Sequence, residues 1–542
     1  DATIITRFEQ FADVFIPDDT SVLALVREVP GVRWVEVDRG GIVPPIPRPT
    51  PEEKKPRAFP EKIVQGGLDG LTGEGVVVAI VDTGIDFHHP DFIEYDAEGQ
   101  PTSRILAYWD TTSGMHANGV GAKAPVKYPN GASVGTVFSR NDLTRELRSN
   151  SPRIAVRDAN GHGTACAGIA AGNGRADEKY TGVAPKADIV AVRIASDLAG
   201  GGMDFAFMMG AACEWMDKIA GERPLVVSCS WGGQYGGRDG HLITERQLDA
   251  RFSLDKAGRA LLFAAGNEGH MPIHAEMSFH SGDDPDRLVW YAPDGGQVEL
   301  YVDASDTEDL QIGPLGDTSI EYDSHINPLT KQLVVTVYVG AGKGGLYVSS
   351  NSSETYQADA YISGQYGYPA EFHPELSSPS KMVGAPGTTT NAITVGSYDW
   401  NERFRQHGVV KLLPDFRDEP LHIGSLSAYS SPGPRRMDGQ TKPEIVAPGQ
   451  WYTAPAPMNI PTMRDSTGFY CVFNGTSAAT PYTAGIVALM LERKPTLTLG
   501  EIKQLLETNA SSDARTGGVP NGAWGHGKLD LKAVKNLLDA VE

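Results

Sequence analysis

Three residues that could serve as a nucleophile, its base and an orienting acid stand far apart in the chain, each inside a short conspicuous stretch. Asp82 closes an apolar run in VVVAIVDTGID, His162 sits among small residues in NGHGTACAG, and Ser477 lies in NGTSAATP. A serine hydroxyl is a weak nucleophile. It needs a base within hydrogen-bond reach, and the base needs a carboxylate to orient it. Each residue also has a plainer reading. Asp82 could cap a turn, His162 could be a structural histidine at a helix start, and Ser477 could be an ordinary helix cap. Taken together, in the order Asp, His, Ser, they fit acyl transfer through a covalent serine intermediate.

The surrounding elements must bring these residues to one place. The runs 76–81, 188–194, 225–230, 261–265 and 392–395 are short and rich in β-branched and apolar residues. Such runs suit parallel strands buried on both faces. Helical patterns at 204–221 and 243–257 alternate with them, which argues for an α/β domain with a central parallel sheet. In such sheets functional groups gather at the carboxyl ends of strands, where Asp82 would stand. Pro481 is tolerated only in a first helical turn, so it fixes a helix start near Ser477. The free N–H groups of that turn favour developing negative charge.

Residues 271–382 break the rhythm with alternating runs at 288–291, 298–302, 333–339 and 345–348, separated by Gly, Asp and Asn turns. They read as an all-β insertion. Helical patterns return at 499–508 and 531–540. At the other end, 3–15 and 32–37 read as strands and 20–29 as a short helix, followed by a Pro- and charge-rich linker. The expected organisation is a segment 1–47, a linker 48–60, a first part of the α/β domain 61–270, the β insertion 271–382 and a second part 383–542.

Composition narrows the function classes. The formal net charge of −21 disfavours nucleic acid as a partner. No segment approaches the roughly 18 apolar residues of a membrane span. No basic region followed by an apolar run opens the chain, so no secretory signal is read there. Cys166, Cys213, Cys229 and Cys471 lie in apolar or small-residue stretches and read as free buried thiols, not as disulfides, zinc ligands or a nucleophile.

The three stretches resemble the active-site signatures of subtilisin-like serine proteases, the subtilases. A fourth, AAGN at 264–267, is similar to the segment that supplies the family's oxyanion-hole asparagine. The resemblance implies a subtilisin-like α/β fold with a central parallel sheet flanked by helices, a jelly-roll-like all-β insertion and a partial propeptide-like α+β segment. It implies a serine endopeptidase with Asp82, His162 and Ser477 as triad and Asn267 as oxyanion donor. Gly200, Gly201, Gly202 and Ser230, Trp231, Gly232 would flank an extended peptide substrate, and Ala264, Ala265, Gly266 would wall the first specificity pocket. Trp231 is bulkier than the aliphatic residue the family leads one to expect. Ala165, Ala478 and Tyr482 also depart from common family residues (His, Met and His).

The same resemblance requires no cofactor for the chemistry and leaves a structural calcium open, with Asp91 in HHPDF as its candidate ligand; the bland alternative is a turn-capping aspartate. His88 and His89 read as surface residues. SVLALVREVPGVRWVEVD, at 21–38, is similar to the second half of an inhibitory propeptide. The implied partners are protein or peptide substrates and the chain's own N-terminal segment as inhibitor. The start at Asp1 with only that half reads as truncation upstream. The insertion and GAPGT at 384–388 resemble jelly-roll-bearing subtilases of the clostridial germination type. Two rival readings stand beside this one. GASVG at 131–135 matches the nucleophile-elbow pattern of other serine hydrolases, which requires a strand before it and a helix after it. Alternatively, the chain is a binding protein that works through its β insertion, and Ser477→Ala separates that reading from catalysis.

Overall fold

The computed structural model describes residues 3–8, 11–15 and 61–541, apart from 128–131, 157, 195–204, 280–284, 305, 307–309, 317–319, 351–353, 365–369, 407–408, 416–419 and 458–463. Two compact units are present, 1–59 and 60–542. In the first, Thr3–Phe8 and Phe11–Phe15 pair antiparallel, so the alternating run 3–15 contains two strands. The expected helix 20–29, strand 32–37 and linker 48–60 lie outside the described residues.

In the second unit the β-branched runs form the middle of a 9-stranded sheet. Its order is Ile445–Gln450, Ile393–Asp399, Arg259–Ala264, Leu225–Cys229, Val77–Asp82, Asp188–Arg193, Ile105–Asp110, Thr136–Ser139 and Ala122–Lys123. Pairing is parallel from the first strand to Ile105–Asp110, and the last two strands are antiparallel. Val77–Asp82 is buried at every position, as a strand covered on both faces must be. The outer strands carry a weaker sequence signal: Thr136–Ser139 and Ala122–Lys123 are short, and Ile445–Gln450 is interrupted by Pro448 and Gly449.

Two helices fill the centre of one face. His162–Ala171 is built almost wholly of small residues and is buried from Gly163 to Ala171. Thr476–Arg493 is buried from Thr476 to Leu491, with Pro481 inside its first turns. A helix apolar all round belongs in a core, and the small residues let these two approach closely. A β-carbon on Gly485 would lie 3.1 Å from the carbonyl oxygen of Ala170 in the other helix. The helix read as 243–257 ends at Arg251, because Phe252 turns into the core at φ −112° and ψ 60° and the chain must be back in the sheet by Arg259.

Strands from His274 to Phe372 form a 5-stranded and a 4-stranded antiparallel sheet with a core of their own, including Leu288, Trp290, Val298, Leu300, Val335, Val337 and Leu346. Inward and outward positions alternate along them, as expected of two sheets stacked face to face. This β body is tied to the parallel sheet by two stacked arginines. Arg436 lies 4.6 Å over the Tyr301 ring, bonds Asp239 at 2.7 Å and donates to Gln332 at 2.7 Å. Arg238 lies 4.8 Å over Tyr361.

Candidate active site

Asp82 is the last residue of its strand and 4 % exposed. Its Oδ1 accepts the Thr83 N–H at 2.7 Å and meets His162 Nδ1 at 2.8 Å. The helix carrying His162 is aimed by a second, fully buried carboxylate. Asp158 accepts the Gly161 N–H at 2.8 Å and the Thr164 N–H at 2.9 Å, pairing free donors of the first turn and placing negative charge at its positive end. Thr83 joins the two elements by donating to Asp158 and accepting the Gly163 N–H. Only glycine fits at 163, where a β-carbon would stand 2.1 Å from the Gly84 carbonyl and 3.0 Å from Asp82 Cβ. The His162–Asp82 distance is therefore set by backbone packing.

Ser477 is the second residue of its helix and is buried. Its Oγ donates to the Ser230 carbonyl at 3.0 Å and makes no hydrogen bond to the imidazole. The imidazole and the carboxylate are thus engaged with each other, while the serine hydroxyl is held by a backbone carbonyl. Such looseness between serine and imidazole is common before substrate binds. The Phe473 ring stands edge-on to the imidazole, with centroids 5.2 Å apart.

Asn267 is turned by Thr476, whose N–H and hydroxyl both donate to its Oδ1 at 3.0 Å. With the oxygen engaged, the Nδ2 donors face away and make no hydrogen bond among the described residues. Gly475 has φ +106°, a left-handed conformation that suits glycine. A β-carbon there would lie 3.5 Å from both Asn267 Nδ2 and the Ser477 N–H, so its absence leaves both donors uncovered.

A sequence model of the subtilase family matches residues 73–527. The chain belongs to the subtilase family. It is 23% identical over 468 residues to serine protease AprX of Bacillus subtilis, covering 82% of this chain and 63% of that one. It is 26% identical over 534 residues to subtilisin-like protease SBT2.3 of Arabidopsis thaliana, covering 83% and 58%. This subtilase therefore spans about three fifths of the length of these curated relatives. Among solved structures, the CspB protease of Clostridium perfringens shares the fold at a TM-score of 0.67 and 23% identity, covering 87% of this chain and 96% of that one.

The site is electrostatically biased. Burial is the largest single influence and works against a charged His162, but the Asp82 carboxylate and the Cys166 sulfur together more than offset it and raise the imidazole well above its usual pKa of 6.5. Cys166 Sγ lies 3.7 Å from His162 Nδ1 and 3.4 Å from the Ser477 carbonyl. Burial pushes its own pKa up to about 11, so it is a neutral thiol filling the space between the two helices.

Other expectations meet the structure as follows. Trp231 packs against the core and donates its indole N–H to the Val81 carbonyl at 2.9 Å. Gly232 stands beside Ala385, and Gly233 and Ala385 exchange two backbone bonds. Ala264 and Ala265 are buried, and the Ala265 carbonyl accepts the Gly384 N–H at 3.0 Å. Gly200, Gly201 and Gly202 lie outside the described residues. Ser133 is followed directly by a strand and not by a helix, so the nucleophile-elbow reading fails. The cysteines are free, with Cys166, Cys213 and Cys229 buried and Cys471 half-buried. No helix among the described residues is long and apolar enough to cross a membrane.

His89 is corrected: it is not a surface residue but fully buried, and only His88 is partly exposed. His89 Nδ1 accepts the Asp91 N–H at 3.2 Å and Nε2 meets the Phe469 carbonyl at 2.9 Å. Burial lowers its pKa, in keeping with that neutral tautomer. Asp91 is fully buried too. The Tyr470 hydroxyl donates to its carboxylate, 2.9 Å from Oδ2 and 3.0 Å from Oδ1, and Ala176 N–H donates to Oδ1 at 3.1 Å. Calcium takes six to eight oxygen ligands. Here the carboxylate oxygens already serve hydrogen-bond donors, and the Arg104 guanidinium donates to the Asp91 carbonyl at 2.9 Å. The residues around Asp91 do not fit the ion. A second acidic group, His274, Glu276 and Asp359, holds the Lys381 ammonium, 2.7 Å from Glu276 and 2.9 Å from Asp359, where a cation would go.

The supports for Asn267 were not read from sequence. Glu268 Oε2 accepts the Asn267 N–H at 2.8 Å and the Gln234 amide at 2.6 Å. Tyr429 and Ser431 lie behind the same loop. Their only sequence signal is the polar run SAYSS, which reads as a surface loop.

Proposed function

We propose that this chain is a serine endopeptidase that hydrolyses peptide bonds through an acyl-enzyme intermediate. The observation that carries the reading is the buried carboxylate–imidazole pair, 2.8 Å long, set beside a helix-start serine whose neighbouring asparagine has its amide donors free. In this reading Ser477 Oγ leaves the Ser230 carbonyl, gives its proton to His162 Nε2 and attacks the scissile carbonyl. Asp82 holds Nδ1–H and stabilises the imidazolium, which then protonates the leaving amine. Asn267 Nδ2 and the Ser477 N–H receive the oxyanion. The segments 200–202 and 230–232 pair with the substrate backbone in the manner of an added strand, with Ala264, Ala265 and Gly266 beside the first side chain. Residues 1–47 act as an inhibitor until cleavage within the linker. The chemistry runs without a metal, and Asp91 serves the fold through Tyr470 and not through calcium.

A fluorophosphonate probe tests the reading. With the N-terminal segment removed, the chain is expected to be labelled at Ser477 only, as located by mass spectrometry, and at the same rate in excess chelator. No labelling under those conditions would leave the binding-protein reading standing. A rate that collapses with chelator and returns with calcium would restore the ion.

The pH dependence has a defined sign. His162 must be neutral to act as a base, and its pKa is raised. Labelling is therefore expected to fall as pH drops through a value above 6.5. The imidazolium–carboxylate pair contributes stability that is fully present below the unfolded value of about 6.5 and is lost as pH rises through the folded value. Across that window the labelling rate should climb while the contribution of this pair to stability declines. An acid limb centred below 6.5 would contradict the assignment.

A further inference from the structure

We propose that Tyr429 is a positioning residue that ties the two halves of the oxyanion hole together, an inference that rests on the peptidase reading above. The two proposed donors come from distant segments, Gly266–Gly269 for the Asn267 amide and Gly475–Ser477 for the backbone N–H. Such donors stabilise a transition state only if they are held within about half an ångström of the productive geometry. Tyr429 is buried and bonds both segments. Its carbonyl accepts the Gly269 N–H at 2.8 Å, and its hydroxyl oxygen accepts the Gly475 N–H at 3.1 Å.

Ser431 completes the hold on the first segment. Its N–H donates to the Gly266 carbonyl at 3.1 Å. Its hydroxyl accepts the Glu268 N–H and donates to Glu268 Oε2, both at 3.1 Å. That same Oε2 accepts the N–H of Asn267 itself. The residues on both sides of the asparagine are thus bound to one short segment, which also reaches the peptide leading into Ser477.

The hydrogens on the tyrosine side can be accounted for. Tyr429 Oη is 2.9 Å from Ser397 Oγ, Ser397 Oγ is 2.9 Å from Ser427 Oγ, and Ser427 Oγ donates to Asp399 Oδ1 at 2.8 Å. The carboxylate can only accept, so each hydroxyl donates its hydrogen bond one step toward it: Tyr429 to Ser397, Ser397 to Ser427, Ser427 to Asp399. A tyrosine oxygen lone pair is then left for the Gly475 N–H. Asp399 sets the direction of the chain, and its far end fixes the nucleophile peptide. Phenylalanine at 429 keeps the ring and the Gly269 bond but leaves the Gly475 N–H without its acceptor.

The test is Tyr429→Phe in the full chain after N-terminal processing. Turnover is expected to fall about tenfold with KM within about twofold, short of the loss for a deleted donor. Affinity for a peptide boronate, whose adduct with Ser477 carries the tetrahedral oxygen, should fall by the same factor as kcat/KM. In an Asn267→Ala background the same change should cost less, because one of the two donors it aligns is gone. Unchanged turnover and boronate affinity would overturn the proposal. So would a rise in KM with turnover intact, which is what simple loosening of the groove gives. If Tyr429→Phe does not fold, Ser427→Ala breaks the chain two links away. It should lower turnover and boronate affinity together, and no change in either counts against the idea. Failure of the unsubstituted chain to turn over or take the probe would instead sink the peptidase reading.

Discussion

Ser477→Ala is expected to lower peptide turnover by roughly 10⁶-fold, the loss established for the corresponding change in subtilisin. The change deletes the attacking atom and a single hydrogen bond, Oγ to the Ser230 carbonyl. The cost in folding should be small, about 1 kcal/mol, as for one ordinary hydrogen bond. The helix start, the Ser477 N–H and the Asn267 amide remain, so rate above the background in water should persist at about 10³–10⁴. The measurement is steady-state hydrolysis together with thermal unfolding. Full activity in the alanine variant would place the nucleophile elsewhere. A collapse of the fold would make Ser477 structural. Peptide binding with turnover lost is the result that fits.

The second large effect is at Asn267. Its replacement by alanine should lower turnover about 10²–10³-fold with little change in KM, the size known for the matching donor in subtilisin. Alanine, however, also strips the acceptor from the Thr476 N–H and hydroxyl. Asn267→Asp separates the two consequences. It keeps an oxygen for Thr476 and removes only the N–H donors, setting an acceptor where the oxyanion would form. If the amide is the catalytic element, the aspartate variant loses at least as much turnover as alanine while holding its melting temperature better. If Asn267 acts only by bracing Thr476, aspartate should restore most of the rate.

What could be read from sequence was local. Asp82, His162, Ser477 and Asn267 each announce themselves within about ten residues, because each needs glycine or small neighbours at fixed offsets to approach another backbone. Most of the parallel strands announce themselves because burial on both faces demands continuous apolar runs, but Ile105–Asp110 and Ile445–Gln450 do not. Properties set by distant partners could not be read. His89 follows another histidine and precedes Pro-Asp, a pattern that suggests a surface turn, yet the Phe469 carbonyl and the Asp91 N–H take it inside. Asp91 sits where the family resemblance suggests an ion, and Tyr470, far along the chain, occupies its oxygens instead. Tyr429 acquires its role only from Gly269, Ser397 and Gly475.

The β body bears on how this architecture can change. The chain leaves the parallel sheet just after Asn267 and returns at Gly384, whose N–H is bonded to the carbonyl of Ala265. The exit and re-entry points are therefore stapled beside the proposed oxyanion hole, whatever the chain does between them. Closing a longer excursion over fixed ends costs only logarithmically in its length, about 0.6 kcal/mol per doubling. An excursion that folds on its own core offsets that cost internally. Length and content at this junction can thus drift, or be exchanged for another module, while the geometry of the hole is inherited unchanged. The limits are the footings at Arg238 and Arg436, which any replacement would have to meet with aromatic faces of its own.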